Sequence, residues 1–156
     1  LNKGDDTGFK KYLLETLEKP YTLEKRKEVL DIYYYHFLFQ EDKEWAFKLL
    51  EKIRETNDTQ YIKYNEEAYS VMIEHSTDLL DSMIEGIENK KYSGLGLGIA
   101  VFMVGMQYQL LQDKDNARTY FYNSLSCFNK KSFYYAKAKA YVDQLTKELG
   151  ADDLDY

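Results

Sequence analysis

Apolar residues recur three and four positions apart along nearly the whole chain, the period of an amphipathic helix and not of a strand. The first such stretch runs from Gly8 to Glu18, with Phe9, Tyr12, Leu13 and Leu17 on one side, and Pro20 stops it. Thr22 is placed to cap a second helix that reaches Phe39 and turns Val29, Leu30, Tyr33, Phe37 and Leu38 inward. After a break at 40–42, a third helix carries Trp45, Ala46, Leu49, Leu50 and Ile53, and Asn57-Asp58-Thr59 interrupts again. A fourth helix extends to Glu74, and Ser76 or Thr77 caps a fifth that ends near Asn89. Ser93 opens a sixth that lasts to Gln112, a turn follows at 113–115, and the seventh reaches Asn129. Ser132 starts the eighth, which Gly150 terminates, and the acidic tail 151–156 is expected to fray. The pattern predicts an all-α chain, about eight antiparallel helices in a single domain spanning 1–156.

The pattern also repeats. Ala46, Leu80 and Ala117, near the starts of successive second helices, stand 34 and 37 positions apart. Twelve residues before them lie Tyr34, Ala68 and Gly105, and nine before lie Phe37, Val71 and Tyr108. Four residues after them lie Leu50, Ile84 and Phe121. This layout resembles tetratricopeptide (TPR) repeats, helix pairs with a period of about 34 residues. Such repeats want a small residue at the earlier position and a large apolar one at the later. The first unit departs at Tyr34 and the second at Leu80, where looser or differently angled packing is expected. The resemblance implies an α-solenoid with an extended concave face lined by the first helix of each pair.

On that layout the concave face takes Asp31, Tyr35, Leu38 and Phe39 from the first unit. Asn65, Tyr69, Met72 and Ile73 come from the second, and Phe102, Met106, Gln109 and Leu110 from the third. Aromatic rings supply rigid contact area, and methionines repack around different partners. Amides such as Asn65 and Gln109 can pair with both N–H and C=O of an extended backbone. The expected ligand-binding set is therefore Tyr35, Asn65, Tyr69, Met72, Phe102, Met106 and Gln109, with a peptide or protein segment as occupant. With sixteen tyrosines in the chain, the competing reading makes many of these rings simple core.

Composition narrows the function. A net charge of −6 with no long Lys/Arg run speaks against direct contact with nucleic acid. Hydrophobic residues make up 44% and only one proline is present, which suits long helices and a packed core. The apolar run from Gly94 to Gly105 is too short for a membrane span and reads as a buried helix. Asn2-Lys3-Gly4-Asp5-Asp6 has no signal-peptide character, and the single Cys127 reads as a small buried hydrophobe in a reducing cytoplasm. A chain starting at Leu1 reads as a piece of something larger.

Chemistry-bearing motifs are weak. Gly94-Leu95-Gly96-Leu97-Gly98 lacks a preceding strand and a following Lys-Ser/Thr, so close helix approach explains it better than phosphate binding. His36 and His75 have no second ligand at metal-binding spacing, and Asp113, Asp115 and Asn116 lack the glycine and distal glutamate of a calcium loop. No hydroxyl sits in a nucleophile-elbow motif. The expectation is a binding module with no catalytic residues, no metal and no cofactor.

In repeat layout and tyrosine-rich, acidic texture, helices two to eight resemble the C-terminal sensing domains of peptide-responsive transcription regulators of the Rgg/PlcR/PrgX class. The resemblance implies a short signalling peptide as ligand and a DNA-binding domain elsewhere in the protein, since this sequence contains no helix-turn-helix. Two other classes stay open. One is a scaffold that binds a folded partner or self-associates, with Phe133, Tyr134, Tyr135 and Tyr141 as a homodimer seam. The other is a helical enzyme with an unrecognised site.

Overall fold

The structure, a computed structural model, describes residues 6–150. The tail at 151–156 and the first five residues, on which the fraying and signal-peptide readings rest, lie outside the described residues. Eight α-helices follow one another: α1 (Asp6–Leu17), α2 (Leu23–Phe39), α3 (Lys43–Arg54), α4 (Thr59–Met72), α5 (Leu80–Glu88), α6 (Gly94–Leu110), α7 (Lys114–Ser124) and α8 (Phe133–Glu148). A 3-10 turn, Leu125–Cys127, lies between the last two. No strand occurs among the described residues. Each helix packs on its neighbour in the chain with one exception, and α2, α4 and α6 also touch in sequence, an arrangement consistent with a helical solenoid.

The repeat is visible in the backbone. Glu41, His75 and Gln112 adopt positive φ of 57°, 57° and 63°, separated by the same 34 and 37 positions as the apolar anchors. Each ends the first helix of a pair, and the next N–H turns back to a carbonyl of that helix. Asp42 donates to Phe37 O and Asp113 to Tyr108 O, both at 3.0 Å. In the second unit the corresponding bond reaches one residue further, from Ser76 N–H to Ser70 O at 2.9 Å.

That difference propagates. Asp42 and Asp113 cap the second helices of their pairs, each carboxylate accepting from the N–H three residues on, Trp45 and Asn116, at 3.2 Å. Helices α3 and α7 accordingly start at once, at Lys43 and Lys114. Ser76 holds the equivalent position, but its hydroxyl accepts from Asp78 N–H only two residues on. A short hydroxyl satisfied locally offers the backbone a turn in place of a helix start. Helix α5 therefore begins only at Leu80, behind Leu79, which makes no side-chain capping bond. The sequence expectation of a cap at Ser76 or Thr77 is corrected on this point.

Displaced by its delayed start, α5 packs on α6 and makes hardly any contact with α4. Its buried residues Met83 and Gly86 face that way, and Gly86 closes on the Tyr92 ring. The loosening expected at Leu80 is thus present as an opened pair. At Tyr34 it is absent: α2 and α3 pack closely, and the tyrosine is fully buried with its hydroxyl donating to Asn65 O at 2.6 Å.

Helix α6 is the central column. Every residue from Gly98 to Gln107 is buried, which is why this helix is apolar all round. Gly105 meets the Phe121 ring of α7, where an added Cβ would lie 2.9 Å away. The glycine-rich start of α6 works the same way at Gly98, where a Cβ would fall 2.6 Å from Phe128 Cε1 and 2.7 Å from Cys127 Cβ. Cys127 itself is half-buried and free. At the far end α8 returns to touch α2, with Phe39 ringed by Phe102, Phe133 and Tyr134 at 4.7, 5.9 and 4.9 Å.

Two predictions test this account. Asp42→Ala and Asp113→Ala should each lower the unfolding free energy by about 1 kcal/mol, and Ser76→Ala by clearly less, in denaturant titrations. Equal losses at all three positions would refute the difference in capping. Gly98→Ala should also destabilise. Overpacking typically costs about 1–3 kcal/mol, against the roughly 1 kcal/mol of helix propensity that alanine brings. An unchanged or raised midpoint would show that Phe128 gives way freely.

Candidate functional site

The side chains expected to line a concave groove are mostly interior. Asn65 and Phe102 are 0% exposed, Met72 1%, Tyr35 and Met106 5%, and Tyr69 8%. Gln109 is half-buried, with a buried Oε1 that has no hydrogen-bond partner. Leu38 and Phe39 are buried too, Asp31 and Ile73 are half-buried, and Leu110 reaches the surface. The physical reason is ring volume. Where α8 closes on α2, the Phe39, Phe102 and Tyr134 rings fill the space between the first helices. A ligand reaching these residues would have to part the helices. The tyrosines of the suggested dimer seam are likewise engaged internally, Tyr134 stacked on Phe128 and Tyr141 on Phe121, and Phe133 alone of the four is exposed.

What the interior holds is a polar ladder between α2 and α4. Tyr35 Oη donates to Asn65 Oδ1 at 2.7 Å, and Asn65 Nδ2 donates to Tyr61 O at 2.8 Å. Tyr61 Oη donates to Asp31 Oδ1 at 2.7 Å, and Lys27 pairs with Asp58 at the end of the ladder. Asn65 is thus the clamp its side chain suggested, but for its own chain. Burial raises the Asp31 carboxyl above its ordinary range, against the opposing hydrogen bond from Tyr61 and the charge of Lys27. Burial likewise pushes the nearby Tyr64 hydroxyl up to about 12.

Open space lies on the other side of α4. Between α4 and the turn before α5 is a cleft of about 570 Å³, lined by Thr59, Ile62, Lys63, Glu66, Glu67 and Ser70 of α4 and by Ser76, Asp78 and Leu79 of the turn. The six α4 residues fall at helical spacing on one face, turned away from the buried Asn65 and Ala68. With Lys63, Glu66 and Glu67 on it, this face offers α5 little apolar surface to pack against. Ile62 and Leu79 provide the cleft's apolar surface, both packed against the core. At the rim Arg54 of α3 bonds Glu66 at 3.0 Å. Ser70 donates to Glu74 at 3.3 Å. The sequence carried two signs of this cleft: a charged stripe on a helix that should pack on its partner, and serine where the sister units have aspartate.

Among the described residues no group of three or more His, Cys, Asp or Glu side chains is arranged to hold a metal ion. None of the helices among them is long and apolar enough to cross a membrane. The chain matches no family model, no curated protein and no solved structure.

The ladder makes a pH prediction. Because the folded state raises the Asp31 pKa, the stability linked to its protonation is fully present below the unfolded value near 3.9 and is lost as pH rises through the folded value. Asp31→Asn keeps an acceptor for Tyr61 and removes the buried charge. The variant should therefore melt higher than wild type at pH 7, with the gap closing below pH 4. A variant that melts lower at pH 7 would mean that the charge itself holds the ladder.

Proposed function

We propose that this chain is a binding module that takes an extended peptide or protein segment in the cleft between α4 and α5. The observation that carries this reading is the opening of a single pair in a stack whose other pairs are closed. Helices α2 with α3 and α6 with α7 bury their facing sides, whereas α4 leaves a whole face from Thr59 to Ser70 uncovered by its partner. That face spans about 16 Å at 1.5 Å per residue, the length of roughly five extended residues. The cleft volume falls within the range of roughly 300–1,000 Å³ common for ligand sites.

The same reading fits the sensing half of a cytoplasmic, peptide-responsive transcription regulator, the class that the repeat layout and the tyrosine-rich texture resemble. A segment bridging α4 and Leu79 alters the seating of α5 on α6, and such a shift passes along the stack to any domain attached to it. Helix α5 suits this role because it has nine residues, no side-chain cap and one main packing partner.

The experiment is selection of random heptapeptides on the immobilised chain, followed by binding of the winners to Ile62→Arg and to Leu79→Arg, each checked for folding by circular dichroism. Selected peptides should lose at least about tenfold in affinity on both variants, equivalent to about 1.4 kcal/mol. Hydrogen exchange across α5 should slow on binding to wild type. Winners that bind both variants unchanged would place recognition elsewhere.

A further inference from the structure

We infer, resting on the reading above, that the segment taken by the cleft carries a cationic side chain next to an apolar one, and that Glu67 and Asp78 receive the cation. The argument begins with which charges are already committed. Glu66 is held by Arg54 from outside the cleft, and Ser70 is turned to Glu74. The backbone N–H of Asp78 is bound by Ser76, but its carboxylate has no cation or donor partner among the described residues. Glu67, on the same lining, has none either. The chain's net charge of −6 adds a long-range field of the same sign.

Against these stands one cation in the lining, Lys63, one turn before Glu67 on the same face of α4 and not paired with it in the structure. The balance is acidic with an apolar floor. Ile62 and Leu79 offer a contact for one aliphatic or aromatic side chain, and the two carboxylates flank it from opposite walls, Glu67 on α4 and Asp78 on the turn. A segment with arginine or lysine beside leucine meets both needs. An acidic segment would set like charges against Glu67 and Asp78 and find only Lys63. Nucleic acid is disfavoured for the same reason, since its phosphates would face carboxylates.

The test uses three blocked pentapeptides with leucine at the centre, flanked on both sides by arginine, by serine or by glutamate. Each is titrated into the full chain while the methyl resonances of Ile62 and Leu79 are followed by NMR. The arginine peptide should shift both methyls and bind about tenfold more tightly than the glutamate peptide, as two partly exposed ion pairs allow. Glu67→Gln with Asp78→Asn should erase most of that preference while the serine peptide binds the variant as it binds wild type. Raising salt should narrow the preference in the same way. Equal affinity of all three peptides, or a preference for glutamate, would overturn the charge assignment and leave segment binding in the cleft standing. Millimolar peptide of every kind failing to move either methyl would overturn both.

Discussion

A side chain that accepts one of a helix's first free backbone N–H groups fixes where that helix starts, and in this chain the presence or absence of such a cap shapes the second unit. Asp42 and Asp113 provide the cap with a carboxylate that reaches the N–H three residues on, and α3 and α7 start immediately behind them. Ser76 occupies the same place in the second unit and spends its oxygen on Asp78 N–H instead. Residues that would have formed the first turn of α5 remain outside it. The apolar side of α5 then lands on α6, and the charged face of α4 stays open to solvent. The cleft goes with a turn in which that hydrogen bond is made two residues on rather than three.

The remainder of the stack tolerates this opening because α4 is secured on its other side. Asn65 sits at 0% exposure with its oxygen and nitrogen both bonded, to Tyr35 Oη and to Tyr61 O. A buried amide satisfied at both ends stabilises the contact, whereas one left half-bonded would cost about 1–3 kcal/mol. Tyr34 adds a bond to Asn65 O, turning the large residue that departs from the repeat pattern into a strut between α2 and α4. Tyr92 joins the second unit from below, lying on Gly86 of α5 and on the Tyr64 ring of α4 at 5.9 Å.

Much of the fold was legible in the sequence. The spacing of Ala46, Leu80 and Ala117 reappears in the left-handed residues Glu41, His75 and Gln112, so the repeat registers in apolar pattern and backbone alike. Gly105 and Phe121 meet as the pattern requires. The candidate site was less legible. Tyr35, Asn65 and Phe102 fall at the concave positions of the repeat, but position alone does not tell how much volume the facing rings fill. Whether Phe39, Phe102 and Tyr134 leave a channel depends on how far α8 swings toward α2, a tertiary quantity. The cleft itself had a local sign, serine in the aspartate slot, whose meaning depends on comparing the three units position by position.

The closure of α8 on α2 also bears on how the chain comes apart. In an open array each unit touches only its neighbours, so the two ends can melt separately and unfolding spreads inward like a zipper. Here the rings of Phe39, Phe133 and Tyr134 join α2 of the first pair to α8, so the stack is tied across its length as well as between neighbours. That contact is distant in sequence, and closing so long a loop is the kind of step that slows folding. Once made, it couples units that an open array would leave independent of one another.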